Sequence, residues 1–225
     1  GHLIMASRKF SQCSLAFARH ACLGFTVRSP YPRVNTLVTS RFSTHASPPT
    51  KHSGLGLVFA SNCGMTEEVA KDLGEIIGVK PLDIEDIQEA ADLAQYDALI
   101  VGTPTHNTLE EKYRSGTGWD DIIDEIREVD FSGKKVAVFG LGDSMCYSEG
   151  FCDALEELHR TFQVAGASMV GYVSASDLNY DHCDSKSNID GKFVGLPLDQ
   201  QNEEDLTQDK LQAWIKQLQS EGMPV

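Results

Sequence analysis

The stretch Leu55-Gly-Leu-Val-Phe-Ala-Ser-Asn-Cys-Gly-Met-Thr66 decides the fold, because a buried strand runs there into a short polar turn that opens a helix. Residues 57–60 form an apolar run bounded by turn-forming residues, which is typical of a buried strand. From Thr66 apolar residues recur at helical spacing until Gly78, which predicts a helix. The first amides of such a helix have no intrahelical acceptor and the helix dipole adds positive charge, so the junction predicts an anion site.

Turn A, the segment Ser61–Thr66, does not match two common nucleotide sites. A nucleoside-triphosphate loop needs Gly-x4-Gly-Lys-Ser/Thr, and turn A has no lysine. The dinucleotide fingerprint needs three glycines after the strand, whereas Gly54 and Gly56 lie before or within it. A single terminal phosphate fits better, held by backbone N–H groups and the hydroxyls at both ends of the turn, with Gly64 allowing close approach. An ordinary capped strand-to-helix turn is the alternative.

Apolar strands alternate with helices along the rest of the chain, which predicts a parallel sheet covered on both faces. The further predicted strands are 80–84, 98–102, 135–140 and 168–173, and the further predicted helices are 86–94, 120–126, 151–164 and 207–218. Ligands of such sheets bind beyond the carboxyl ends of the strands, where the strand order reverses. This rule selects turn A and two more segments, turn B (Thr103–Leu109) and turn C (Leu141–Tyr147).

The charge of the chain is divided unevenly between its two ends. Residues 1–53 carry +7 and no acid, so the remainder carries −21 of a net −14. A body this acidic is expected to repel nucleic acid and to be steered towards basic partners, or else the acid only keeps the protein soluble. No apolar run reaches the length of a bilayer span, so no stable membrane insertion is expected.

The segment 1–53 is rich in Arg, Ser, Thr and Ala, which is the composition of an organelle transit peptide. A basic disordered tail is the alternative. Residues 1–4 precede Met5 and are an expected expression remnant, and residues 54–225 are the expected folded domain. Composition does not separate a plastid from a mitochondrial destination.

The six cysteines have neither Cys-x-x-Cys spacing nor a flanking histidine at metal-ligand spacing, so we expect no metal site and no redox dithiol. Free thiols in a reducing compartment are the preferred interpretation.

The residues of turns A, B and C resemble those of the flavodoxins. Ser-Asn-Cys-Gly-Met-Thr resembles their Ser/Thr-x-Thr-Gly-x-Thr phosphate loop, while Thr-Pro-Thr-His-Asn-Thr at 103–108 and Gly-Leu-Gly-Asp-x-x-x-Tyr at 140–147 resemble their two flavin-flanking loops. Agreement extends through 114–120, 150–154 and 185–196, and is strongest with the long-chain type, particularly its algal members. The resemblance covers residues 55–222.

The resemblance implies a monomeric α/β domain with a doubly wound five-stranded parallel sheet of order 2-1-3-4-5, helices on both faces and one non-covalently bound FMN. It implies the following cofactor contacts: Ser61, Asn62, Cys63, Gly64, Met65, Thr66, Pro104, Thr105, His106, Asn107, Thr108, Leu141, Gly142, Asp143 and Tyr147. Tyr147 matches the residue that stacks on the flavin, unless it is a buried structural tyrosine. Asp143, with the backbone of Leu141 and Gly142, would face the polar edge of the ring, or Asp143 caps the following turn.

Two positions depart from the family pattern. Cys63 replaces the usual Thr or Ser, so a strong hydroxyl donor to phosphate gives way to a weak S–H. His106 replaces a common Trp, which predicts a less negative potential for the second electron and a potential that rises as His106 becomes protonated. A solvent-facing His106 with no electronic role is the alternative. Trp119 matches a different tryptophan of the family and is expected in the core.

The resemblance implies a one-electron carrier without catalytic residues, which takes electrons from photosystem I and passes them to ferredoxin-NADP reductase in place of ferredoxin. This function favours the plastid as the destination of the protein. An NAD(P)H-dependent quinone or flavin reductase on the same fold is the enzyme alternative. Residues 174–192 match the long-chain insertion and do not form a recognisable second substrate site. A binding module that has lost FMN is a third hypothesis.

Overall fold

The computed structural model describes residues 54–225; the predicted transit peptide lies outside them. The strands are β1 Leu55–Phe59, β2 Leu82–Asp83, β3 Ala98–Pro104, β4 Lys135–Leu141, β5 Ser168–Val170, β6 Val173–Ser174, β7 Asn188–Ile189, β8 Lys192–Phe193 and β9 Leu196–Leu198. The helices are α1 Met65–Ile77, α2 Ala90–Leu93, α3 Trp119–Ile126, α4 Ala154–Val164 and α5 Thr207–Ser220. No helix within 54–225 combines the length and the apolar character that crossing a bilayer requires.

The main sheet is parallel and has the order β2-β1-β3-β4-β5, which confirms the predicted topology. Its fifth position is filled by two segments, because β5 pairs with the first half of β4 and β9 pairs with the second half. The predicted strand 168–173 therefore ends at Val170, where Gly171 turns the chain away with a φ of 83°. Residues 171–195 form an insertion that carries a small antiparallel sheet of order β6-β8-β7.

Side chains alternate between the two faces of the main sheet and build one apolar cluster on each face. Helices α1 and α5 pack on one face against β1, β3 and β4, around Phe139 and Trp214. Helices α2, α3 and α4 pack on the opposite face, around Trp119 and Phe162. The prediction of helices on both faces is confirmed.

Two further predicted elements, the strand 80–84 and the helix 86–94, are much shorter in the structure. Strand β2 pairs only with Val58 and Phe59 at the edge of the sheet, so it spans two residues where five were expected. The predicted acidic helix 86–94 is reduced to α2, because Ile87 and Glu89 are extended and Glu89 forms a capping box with Asp92 immediately before the helix.

Candidate functional site

The strand register brings turns A, B and C to one edge of the sheet. Phe59 pairs with Gly102, and Pro104 pairs with Leu141, so β1, β3 and β4 end side by side. Turns B and C are joined where the Thr105 N–H donates to the Leu141 carbonyl at 3.1 Å. This edge lies where the strand order reverses, which is where open α/β sheets bind ligands.

Turn A has an open helix N-terminus. Gly64 adopts a left-handed conformation with a φ of 87°, and among residues 54–225 no side-chain hydrogen bond caps α1, which starts at the next residue. A Cβ added at Gly64 would meet no atom of residues 54–225 within 4 Å, so the position beside this glycine is open in the described part of the chain. Within the turn, the Gly64 N–H donates to the Ser61 hydroxyl at 3.0 Å. Free amides facing open space suit an anion of phosphate size.

The acidic residues in the first turn of α1 repel an anion bound there, and a lysine offsets the charge of one of them. Glu67 forms an ion pair with Lys71 at 2.6 Å, whereas Glu68 is exposed. Turn A itself contains no lysine or arginine. Backbone donors and hydroxyls must therefore supply most of the attraction for a phosphate there.

Asn62 connects turn A to the segment that follows turn B. Its side-chain amide donates to the Gly116 carbonyl at 2.6 Å. The position of Gly116 is itself fixed, because the Gly116 N–H and the Ser115 hydroxyl both donate to Asp120, at 2.8 and 2.7 Å. Burial raises the pKa of Asp120, and these two hydrogen bonds partly offset that rise. The three turns thus form one hydrogen-bonded group.

Turn B is held by one backbone carbonyl of the segment that follows it. The N–H groups of His106 and Asn107 both donate to the Arg114 carbonyl, at 3.2 and 3.1 Å. The Thr105 hydroxyl accepts the Ala154 N–H at 3.2 Å, which ties the turn to the start of α4. Thr108 lies against Gly150 in the segment after turn C, where a Cβ on the glycine would approach Thr108 to 2.9 Å.

The sequence interpretation missed the buried ion cluster that anchors the segment after turn B. Glu157 accepts the N–H groups of Tyr113 and Arg114 at 2.9 and 2.8 Å. The buried Arg114 guanidinium contacts Glu156 and lies 3.6 Å from Glu157. The available signal was a pair of adjacent acids within the predicted helix 151–164, but a solvated helix face produces the same pattern.

His106 keeps an exposed surface, yet the atoms packed around it reduce its hydration. This desolvation lowers the pKa of His106, and the Asp120 carboxylate only partly offsets the effect. The ring is therefore neutral at neutral pH. The expected influence of a charged His106 is therefore shifted to lower pH than that of an ordinary histidine.

Turn C presents Tyr147 to solvent, and the Asp143 carboxylate accepts hydrogen bonds from the backbone of the same turn. Tyr147 is 42% exposed, which rules out a buried structural tyrosine. Asp143 accepts the N–H groups of Met145 and Cys146, at 3.0 and 2.8 Å, so it caps its own turn as the alternative predicted. The Gly142 N–H donates to the Leu198 carbonyl of β9 and is not free for a ring.

Trp119 is fully buried and donates its indole N–H to the Gly102 carbonyl at 2.9 Å, so its expected place in the core is confirmed.

The cysteines correct the expectation of free thiols. Cys63 and Cys146 are disulfide-bonded and have no S–H to donate, whereas Cys152 and Cys183 are free and buried. Two cysteines that form a disulfide bond can lie far apart in a sequence, so the lack of closely spaced cysteines did not exclude disulfide bonds.

Within the described residues, no group of three or more His, Cys, Asp or Glu side chains is placed to hold a metal ion. The arrangement offers an open anion cradle at turn A, and an exposed aromatic ring at turn C beside turn B. This combination suits a planar aromatic ligand with a phosphate on a flexible arm. The contact of each predicted residue with such a ligand stays a prediction.

Known proteins provide a direct comparison. The flavodoxin family model matches residues 57–214. A flavodoxin of Nostoc sp. strain PCC 7120 is 39% identical over 169 residues, covering 74% of this chain and 96% of the relative. Flavodoxin 1 of Escherichia coli K12 is 34% identical over 168 residues, covering 74% and 93%.

Solved structures give the same result. The structure of Fusobacterium nucleatum flavodoxin bound to flavin mononucleotide aligns with a TM-score of 0.64 at 25% identity, covering 75% of this chain and 98% of that chain. The sheet order, the three turns at its edge and the matched sequence span agree: the chain belongs to the flavodoxin family.

Proposed function

We propose that this chain holds one FMN without a covalent bond and carries single electrons between redox proteins. The meeting of turns A, B and C at one edge of the sheet carries this proposal, because it joins an uncapped helix N-terminus to an exposed tyrosine. Flavodoxins are electron-transfer flavoproteins, so the chain is not an enzyme and needs no catalytic residue. The flavin, when bound, supplies the one-electron chemistry.

The residues of the chain bind and orient the cofactor in this proposal. The amides at the start of α1 and the Ser61 hydroxyl hold the phosphate, which needs no lysine or arginine because oriented backbone donors stabilise its charge. Tyr147 covers one face of the ring, since an aromatic side chain stacks well on a flat heterocycle. Turn B lies beside the other face, with the neutral His106 in place of an indole.

A long-chain subtype is part of the proposal. Residues 171–195 separate β5 from β9, which share one position of the sheet next to β4. An insertion that splits the fifth strand in this way supports the long-chain type. The algal character rests on the sequence motifs alone.

The proposed partners are basic redox proteins, with photosystem I as the donor and ferredoxin-NADP reductase as the acceptor, and the carrier itself works as a monomer. Support comes from the net charge of −21 beyond residue 53, which favours fast, charge-steered encounters. The acid-free composition of residues 1–53 supports import into a plastid, with the mitochondrion as the alternative destination.

Transient kinetics of the purified chain loaded with FMN test the function. Flash-excited photosystem I should reduce the bound flavin, and the rate should fall as salt rises, because attraction between opposite charges is screened. NADPH alone should leave the flavin oxidised until ferredoxin-NADP reductase is added. Direct bleaching by NADPH without the reductase would instead support the quinone reductase alternative, which no feature of the described residues favours.

A further inference from the structure

Asp199 is a buried carboxylate beside turn C that no motif singled out. It directly follows β9 and is 1% exposed. The ion pairs found among residues 54–225 do not include it. A buried charge without a cation persists only where several hydrogen bonds replace its hydration.

Both oxygens of Asp199 accept hydrogen bonds, one mainly from turn C and the other from its own segment. Oδ2 accepts the Ser144 N–H at 2.9 Å and the Ser144 hydroxyl at 2.7 Å. Oδ1 accepts the N–H groups of Gln201 and Asn202 at 3.2 and 3.1 Å. Asp199 therefore connects turn C to a segment 55 residues later in the chain.

This arrangement requires a group that only accepts hydrogen bonds. Each carboxylate oxygen faces at least one backbone N–H, and backbone donors cannot be reversed. An asparagine of the same shape would have to direct its NH₂ group at the Ser144 N–H or at those of Gln201 and Asn202. The isosteric amide would therefore leave buried donors facing one another, which is unfavourable.

Asn202 extends the connection to the stacking tyrosine. Its side-chain amide lies 2.8 Å from Asp199 Oδ2 and 3.1 Å from Asp143 Oδ1. The same Asp143 oxygen accepts the Met145 and Cys146 N–H groups, and the Asp143 carbonyl accepts the Tyr147 N–H at 3.0 Å. A continuous set of hydrogen bonds thus runs from Asp199 to the backbone of Tyr147.

We propose that Asp199 is a positioning residue that holds turn C in the conformation in which Tyr147 covers the flavin ring. The proposal rests on the proposed flavin site. Because Asp199 acts on the ring side, its loss weakens binding of the ring and leaves the phosphate contacts at turn A intact. The effect is therefore the same for FMN and for riboflavin, which carries the same ring without the phosphate.

The test compares Asp199→Asn, Ser144→Ala and the control Asp205→Asn in the full chain. Asp205 is an exposed acid on the same segment, so its replacement removes the same charge without touching turn C. Dissociation constants for FMN and riboflavin, the fluorescence of the bound flavins and the urea midpoint of the flavin-free chain are measured. We expect Asp199→Asn to weaken both flavins by about tenfold, with an unchanged FMN-to-riboflavin ratio and a brighter bound flavin.

Ser144→Ala should weaken both flavins by about threefold, because the Ser144 N–H bond remains, and Asp205→Asn should match the wild type. Wild-type affinities and bound-flavin fluorescence in Asp199→Asn, even with a lower urea midpoint, would overturn the positioning role. If Asp199→Asn does not fold, Ser144→Ala decides, and unchanged riboflavin binding overturns the proposal. A wild-type chain that binds neither flavin would instead refute the proposed function.

Discussion

Turn A and turn C lie at the same edge of the sheet but are held in different ways. In turn A, the Ser61 hydroxyl accepts an N–H from three residues further on, and the adjoining helix provides the open amides. In turn C, Ser144 is held by Asp199, 55 residues later in the chain. The open amides of the phosphate side thus belong to a local structure, although Asn62 also ties turn A to Gly116, whereas the ring side exists only when distant parts of the domain have assembled.

Turn B belongs with turn C in this respect. The backbone that closes turn B is held through Arg114, whose N–H donates to Glu157, 43 residues away on α4. Substitutions at distant anchors should therefore disturb the ring side, and substitutions inside turn A should change phosphate binding alone.

Glu157→Ala should have the largest effect, because it removes a distant anchor of turn B. The change leaves Arg114 buried beside only Glu156 and deprives two backbone N–H groups of their acceptor. We expect the free energy of unfolding of the flavin-free chain to fall by about 3 kcal/mol, measured by urea titration followed by circular dichroism. Glu125→Ala on the exposed face of α3 should cost less than about 0.5 kcal/mol, and equal losses would contradict the anchoring role.

Gly64→Ala should weaken the binding of the phosphate at turn A and leave the binding of the ring unchanged. A side chain at a φ of 87° costs about 1–2 kcal/mol of stability, and the added methyl group would occupy the open anion cradle. FMN binding should weaken while riboflavin binding is retained, measured by fluorescence titration. Gly191→Ala is the matched control, since that glycine has a φ of 78° and free space in the insertion. A loss of FMN affinity as large in the control would contradict the cradle.

Cys63→Thr should tighten FMN binding by about fivefold, or about 1 kcal/mol, by adding a hydroxyl donor to turn A. The titration is run under reducing conditions for every variant, because Cys63 is disulfide-bonded in the structure. Riboflavin affinity should not change. Cys63→Val has nearly the shape of threonine without its hydroxyl, so a gain of the same size in the valine variant would show that the hydroxyl is not responsible.

His106→Trp should have the smallest effect and should concern only the ring side. We expect the potential for the second electron to be less negative in the wild type, by about 1 kcal/mol or ~40 mV at most. Since desolvation lowers the pKa of His106, the additional rise from its protonation should be centred below the ordinary histidine value of about pH 6.5. Spectroelectrochemistry from pH 5 to 8 measures it, and His106→Gln should lose the pH-dependent part. Identical curves for all three proteins would contradict any electronic role.

The same contrast explains what the sequence could predict. The apolar runs of β1, β3 and β4 and the helical period of α1 depend on neighbouring residues, and they were predicted with small errors at their ends. The split of the fifth strand was missed, because only the pairing of Leu196–Leu198 with β4 reveals it. Asp199, Arg114 and Glu157 resemble ordinary surface charges in a sequence, since the hydrogen bonds that connect them to the turns or their anchors join residues more than 40 positions apart.

Equilibrium titration of the flavin-free chain with FMN, followed by quenching of flavin fluorescence, tests the central claim most directly. We predict one FMN per chain, strong quenching by the stacked Tyr147, and weaker binding of riboflavin because it lacks the phosphate that turn A holds. A chain that leaves FMN fluorescence unchanged at saturating concentrations, or that binds riboflavin as tightly as FMN, would contradict the assignment of turn A to the phosphate and turn C to the ring.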